Sequence, residues 1–308
     1  MAYRLEHGEA VITGLKRVVC EQIESASDRL SGKNKITRDE AIHSARKSIK
    51  KVRATLRLAR KDMGESRSEH ARLRDTAARI SEFRDAFVII ATLDALKKKY
   101  RDEAGGARPG SGLEARLRSI REGLTRRRRE SAREEDTGPV VKAAAEALLK
   151  TSKRVEKWHL KSEGFDAIGP GLEETYRAGR RALAVARKDG SPENFHQLRK
   201  RVKDHWYHVR LLEGLWAEMM DAYEKSLKDL ETWLGEDHNL TVLRDKITAE
   251  PAFYGKQQDI ALAFDLISRY QKELREKALP LAERIYEEKP REFTRRIKHL
   301  WNTWQGEV

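Results

Sequence analysis

The sequence predicts an all-α protein built as two helical bundles, one from each half of the chain. Three observations carry that expectation. Long stretches are dominated by Ala, Leu, Glu, Lys and Arg, with only 7 Pro in 308 residues, and these residue types lose least conformational freedom in a helix. The length suits two units of roughly 150 residues better than one. Turn signals divide each half into about four helical blocks, enough for a bundle.

The first block runs from about Leu5 to Leu30 and stops at Ser31-Gly32. Thr37-Arg38-Asp39-Glu40 is a capping box that opens a helix to about Lys61, which Asp62-Met63-Gly64 closes. A long helix is expected from Arg67 to Arg101, with a break near Ser81. A glycine-rich loop follows at 105–112, then an arginine-rich helix, and Gly138-Pro139 marks another start. The segment 162–171 interrupts helix with glycines and a proline, and is the expected linker between a first half at 1–161 and a second at 172–308. Beyond it a helix spans about 172–188. Ser191 then supplies an N-cap and Pro192 the first helical position of a helix to about Leu215. Further helices end in a pair either side of Lys289-Pro290.

Lys and Arg number 64 against 50 acids, so the net charge of +14 favours polyanionic partners by long-range attraction. Hydrophobic residues, at 39%, still suffice for a helical core. No window approaches 18 apolar residues, and residues 1–11 lack a basic region followed by an apolar run. Neither a membrane span nor a signal peptide is therefore expected, and the cytoplasm follows. The lone Cys20 excludes an intramolecular disulfide and reads as a buried, inert thiol. Monomer and dimer remain open.

The halves repeat. Glu40, His43, Arg46, Lys47, Lys50 and Arg57 find identical residues 153 positions later at Glu193, His196, Arg199, Lys200, Lys203 and Arg210. Apolar positions keep step: Ile42 with Phe195, Ala45 with Leu198, Ile49 with Val202, Leu56 with Val209. On a helix the apolar set faces a core, while His43, Arg46, Lys47, Lys50, Arg53 and Arg57 form a stripe about 21 Å long. Residues 41–61 hold eight Lys or Arg and no acid, so these cations lack the i,i+4 partners of an ordinary solvated face. Acids from another helix or an anionic ligand must offset the repulsion. A basic solvated face would explain one such helix; its recurrence favours a ligand. A second repeat, at offset 154, matches Ile80 to Asp85 and Val88 with Leu234 to Asn239 and Val242. Its acids read as helix-junction contacts, whereas Arg84 and His238 can join the basic surface.

These residues resemble the CHAD family, a helical domain named for its histidines. The resemblance rests on His43-x-x-Arg46-Lys47-x-x-Lys50-x-x-Arg53, on His196-x-x-Arg199-Lys200-x-x-Lys203, on Tyr176-Arg177-x-x-Arg180-Arg181, and on the segments from Glu82 to Asp85 and Gly235 to Asn239. It implies two four-helix bundles related by an internal pseudo-two-fold repeat, with a basic surface that binds inorganic polyphosphate and an association with polyphosphate granules. Two departures weaken the second stripe: Asn239 stands where an acid is usual, and His205-Trp206-Tyr207-His208 replaces a more basic run. Arg177, Arg180 and Arg181 compensate if their helix lies beside the second motif. The glutamate-rich signature of the triphosphate tunnel domain found in many relatives is absent, so a stand-alone binding module is expected.

No Walker loop, nucleophile elbow, zincin motif or dinucleotide turn occurs, and no enzyme, cofactor or metal is expected. His205-x-x-His208 has metal-ligand spacing, but an isolated pair of this kind reads as packing. A mobile polyanion calls for many cations at helical spacing, with histidines adding charge near pH 6. Nucleic acid is the alternative partner: Arg116, Arg118, Arg121 and the run 126–129 suit backbone phosphates, although aromatics are not interleaved with the basic stripe as stacking platforms. A granule scaffold is a third reading, for which Trp301 and Trp304 offer a weak anchor beside their plainer role as core residues.

Overall fold

A computed structural model of the chain describes residues 3–33, 36–80, 85–103, 112–134 and 137–306. Among these residues all regular structure is helical and no strand occurs. In the first half, α1 spans Val11–Leu30, α2 Arg38–Leu58, α3 Ser66–Arg79, α4 Asp85–Glu103, α5 Gly112–Glu134 and α6 Thr137–Val155. The second half holds α7 (Gly169–Lys188), α8 (Pro192–Leu211), α9 (Ala217–Ala249), the single turn α10 (Pro251–Tyr254), α11 (Gln257–Ile285) and α12 (Pro290–Gly306).

The two motif helices begin where local chemistry says they should. Thr37 and Glu40 cap α2 reciprocally: the Glu40 backbone N–H donates to Thr37 Oγ1 at 3.3 Å, and the Thr37 N–H to Glu40 Oε2 at 2.9 Å. Ser191 caps α8 by accepting from the Asn194 N–H, and Pro192 opens the first turn, where its missing N–H costs no bond. The expected helix from Arg67 to Arg101 is divided into α3 and α4, while the corresponding stretch of the second half is the continuous α9. The start also differs from expectation. Residues 3–5 precede α1 as an extended strap, because Tyr3 and Leu5 are buried against α2 and α8: Leu5 N–H donates to Leu211 O at 2.9 Å, and Tyr3 Oη to Lys51 O at 2.9 Å.

α1, α2, α3 and α6 pack on one another, and α7 packs on α8 and α12. The α4–α5 hairpin joins neither group. It lies against α9 and α11 in a separate apolar cluster containing Leu93, Leu96, Leu117, Ile120, Leu243 and Ile267. The larger cluster is continuous across both halves, from Val18 and Ile49 to Leu198, Phe293 and Trp301. The core thus does not divide into one bundle per half.

The segment expected as a linker is packed. Gly164–Ala167 forms a 3-10 turn with Phe165, Ala167 and Ile168 buried, and Trp301 stands 6.0 Å from the Phe165 ring. Gly164 does interrupt helix, but the apolar side chains after it supply more burial energy than a free linker could have. The Asp62 carboxylate ties the segment's start by accepting from the Lys161 and Ser162 N–H groups at 2.7 and 2.9 Å. Gly171 then lets the first turn of α7 approach the end of α2, where any Cβ would collide with the Leu58 carbonyl. Trp301 and Trp304 are core residues, 5% and 9% exposed.

α2 and α8 cross at Ala54, whose carbonyl accepts from the wholly buried His208 Nε2 at 2.9 Å. His205 sits one turn earlier among Tyr176, Tyr223, Tyr286 and Phe293, with ring centroids 5.4–5.5 Å away. The pair with metal-ligand spacing is therefore a core pair. No described helix is long and apolar enough to cross a membrane.

Burial, and then His208, push His205 down to about 3; burial pushes His208 down to about 4 against its bond to Ala54. Both rings are neutral in the fold and regain an ordinary value near 6.5 on unfolding. Their contribution to stability is present above pH 6.5 and is lost as pH falls toward 4, at about 1.4 kcal/mol per pH unit for each ring. Urea titrations of a His205→Phe variant across this range should show a pH dependence shallower by about that slope; an unchanged slope would mean that His205 does not stay neutral. Asp62→Ala should cost about 2 kcal/mol, because two backbone donors lose their acceptor. An unchanged urea midpoint would show that Phe165 and Ile168 alone hold the segment.

Candidate anion-binding site

The amphipathic reading of α2 holds: Ile42, Ala45, Ile49, Val52 and Leu56 are all buried. Its basic residues occupy the remaining surface, with His43 and Lys47 exposed and Arg46, Lys50, Arg53 and Arg57 partly buried. Arg57 Nη1 lies 2.6 Å from Asp204 Oδ1, and the cations acting on Lys51 include Arg210. Residue numbers therefore rise along α2 as they fall along α8, and the two helices run antiparallel through the crossing. Their N-terminal ends, with His43 and His196, leave it in opposite directions. The two stripes are arms of one crossing rather than neighbours on one face.

At one flank of the crossing, α2, α3, α7 and α8 enclose a cleft of about 410 Å³. Arg57, Arg60, Lys61, Arg67 and Arg201 line it, with Glu174 as the sole lining carboxylate among the described residues and Asp204 behind Arg57. Arg60 Nε donates to Glu174 at 3.0 Å, Lys61 stands 3.6 Å from the same carboxylate, and Arg201 is 3.4 Å from Asp204. Acids from other helices thus offset part of the α2 charge, as one of the two alternatives required, but cations remain in excess.

His70 of α3 organises this flank. Arg57 Nη2 and Arg53 Nε approach His70 Nε2 at 2.8 and 3.3 Å. A guanidinium can only donate, so Nε2 accepts and the ring carries its proton on Nδ1. Burial, followed by Arg57, Arg53, Arg74 and Arg60, pushes His70 down to about 3. It is a neutral tether that aims two arginines without cancelling their charge. Burial and Arg57 together push Arg53 down to about 10, which still leaves it protonated at neutral pH while registering the crowding of cations.

The second stripe meets acids of α9. Lys203 Nζ and Arg199 Nη2 reach the buried Glu231 carboxylate at 2.6 and 3.4 Å. Offset 154 maps Glu231 onto Ala77, which has no carboxylate to give the first stripe. Arg210 Nε stands 3.1 Å from Glu224, while Lys200 is exposed. His196 stacks on His238 with centroids 4.0 Å apart. Burial, then Lys200 and Arg199, lower His196, and burial with His196 pushes His238 down to about 4. The expected charging of the histidines near pH 6 is accordingly corrected for His196 in the free protein: its neighbours are cations and a second ring.

The remaining expectations separate. α7 does lie beside α8, with Arg177 paired to Glu173 in its own helix, Arg180 donating to the Glu288 carbonyl at the α11–α12 turn and Arg181 exposed. Arg84 lies outside the described residues. His43 borders a larger cleft, of about 1,020 Å³, whose charged lining mixes Arg29 and Arg128 with Asp39, Glu40 and Glu236. In α5, Arg116 and Arg121 pair with Asp259 and Asp94 at 2.8 Å, Arg127 pairs with Glu250, Arg128 with Asp39, and Arg126 stacks 4.0 Å over Phe253.

His70 and Arg67 were missed because they flank the motif in space and not in sequence, and Arg201, which follows Lys200 directly, because it has no basic counterpart at offset 153, where Ser48 stands. One signal did exist. Offset 154 maps His70 onto Glu224, and each of these meets the arginine of its own half. Comparison with curated proteins finds no match. The family model of the CHAD domain, by contrast, matches residues 21–248, which include both histidine motifs, the crossing and the cationic cleft. Covering well over half of the sequence, that match shows that the chain belongs to the CHAD family.

Proposed function

We propose that this protein binds inorganic polyphosphate along the cationic faces of α2 and α8, and that it is a binding protein rather than an enzyme. The observation that carries the reading is the cleft at the crossing, where Arg57, Arg60, Lys61, Arg67 and Arg201 face a single lining carboxylate among the described residues. Each internal phosphate of the polymer bears one negative charge, and guanidinium forks match its oxygens at two points. A chain lying across the crossing continues from this cleft onto Lys47 along one arm and Lys200 along the other. We read the two arms as the repeat-related halves of a pseudo-two-fold arrangement, the second of which carries the Glu231 carboxylate between Arg199 and Lys203. Cytoplasmic residence on polyphosphate granules follows as the setting for such a module.

Nucleic acid is the competing polyanion. Most of the α5 arginines that favoured it are engaged by Asp259, Asp94, Glu250, Asp39 and Phe253. Polyphosphate should therefore displace labelled single-stranded RNA at far lower phosphate concentration than RNA needs to displace polyphosphate. Equal displacement in both directions would replace this reading with general phosphate-backbone binding.

Charge-neutral substitution should weaken binding through the counterion term. A double Arg60→Gln, Arg67→Gln variant should bind about tenfold more weakly near physiological salt, and its plot of log K against log salt should be shallower by roughly 0.7 for each phosphate that it no longer neutralises. Arg118→Gln, on the exposed face of α5, is the control. Unchanged affinity and slope in the double variant would remove the cleft from the site, and steady release of orthophosphate above background would overturn the non-enzymatic reading.

A further inference from the structure

The crossing has two flanks, and the repeat makes them comparable. On one, Arg57 meets Asp204 at 2.6 Å and His70 at 2.8 Å. The 153-residue offset maps Arg57 onto Arg210 and Asp204 onto Lys51. The other flank therefore sets an arginine against a lysine where the first has an arginine against an acid. Arg210 keeps Glu224, at 3.1 Å, in the place of His70. Among the described residues Lys51 receives no such carboxylate: the charged groups that act on it are Arg210 from α8, Lys47 from its own helix and Arg29 from α1.

Aromatic rings hold these cations. Lys51 Nζ lies 4.9 Å from the centre of the Tyr3 ring, and the Arg210 guanidinium lies 5.7 Å from Tyr3 and 5.5 Å from Trp206. The negative faces of the rings position the side chains but leave their net charge intact. The Tyr3 strap is fixed in turn by its hydroxyl, which contacts Lys51 O and Thr55 Oγ1 at 2.9 and 3.0 Å. The result is a preformed pair of cations, half-buried and lacking the acid that completes the equivalent pair across the crossing.

We propose that Lys51 and Arg210, with Lys47 and Arg29 at their edge, form a second phosphate subsite, in which a phosphate oxygen takes the place that the Asp204 carboxylate holds on the first flank. The proposal rests on the polyphosphate reading and deepens it: one polymer chain can engage both flanks, and at the second flank binding is linked to the protonation of Lys51. Burial, then Arg210, Lys47 and Arg29, push the Lys51 amine down to about 8. An anion between Lys51 and Arg210 stabilises the charged amine and raises it again. Binding above pH 8 then takes up a proton, and affinity falls as pH rises from 8 toward the value in the complex. The groups facing Lys51 are Arg210 from α8, Arg29 from α1, Lys47 from its own helix and the Tyr3 phenol, which burial raises and keeps neutral.

Calorimetric titration of the full chain with long-chain polyphosphate, at pH 7 and pH 9 in two buffers of different ionisation enthalpy, tests this. The wild type should take up protons on binding at pH 9. Lys51→Met should abolish that uptake and lower affinity at pH 7 about tenfold. Lys51→Asp, which gives Arg210 the partner that Arg57 has in Asp204, should lower affinity further while raising the thermal midpoint, an effect that misfolding could not mimic. Wild-type affinity and proton uptake in Lys51→Met would overturn the subsite and leave the Arg57 cleft standing. A wild type that binds no polyphosphate would overturn both.

Discussion

The hydrogen bond from His208 Nε2 to the Ala54 carbonyl lies where α2 and α8 cross, and the placement of charge in this protein follows from it. A carbonyl inside a helix normally has its own i+4 donor, so a second donor is useful only where another backbone comes very close. Ala54 allows that approach by presenting only a methyl group. His208 must stay neutral to lie there, because an imidazolium would be buried beside Arg57 and Arg60. Once the crossing is set, Arg57 is carried to Asp204 and Lys51 toward Arg210. The contrast between the two flanks is thus a consequence of core packing and not of surface composition.

A helix without acids from residue 41 to residue 61 has few ways to be stable. The protein uses several at once. Glu174 and Asp204 reach in from α7 and α8, His70 accepts from two arginines without adding charge, and Tyr3 and Trp206 offer ring faces to Lys51 and Arg210. Carboxylates are used sparingly: where they are present the arginine is held in a fixed fork, and where rings replace them the cation keeps its field. Membership of the CHAD family gives this arrangement its context.

Local chemistry was legible in the sequence and long-range partnership was not. Thr37, Glu40, Ser191 and Pro192 act within one helical turn, so the starts of α2 and α8 could be read directly. Of the glycines of 162–171 only Gly164 interrupts helix, since Gly169 and Gly171 lie in the first turn of α7, and whether Phe165 and Ile168 are solvated depends on Trp301, more than a hundred residues away. Amphipathic periodicity marks the buried face of α4 and α5 without naming what covers it, and the expectation of one bundle per half failed at that point. In the site, the repeat identified Arg57 and the basic stripe identified Arg53, whereas His70 joins them through the packing of α3 on α2 and Arg201 through the antiparallel crossing. Protonation was the least legible property, because the lowering of His196 and His238 comes first from burial where α8 packs on α9.

The position of the α4–α5 hairpin also bears on how the chain reaches its folded state. Leu93, Leu96, Leu117 and Ile120 are covered by Leu243, Ile247 and Ile267, which emerge much later in synthesis. At ordinary elongation rates the hairpin waits on the order of ten seconds with an apolar face open to solvent. In that interval the only mature core is the group of α1, α2, α3 and α6, and α2 is a crowded cationic helix whose partners on α7 and α8 do not yet exist. A polyanion present during translation would meet that helix before Asp204 and Glu174 do, and could screen it through the wait.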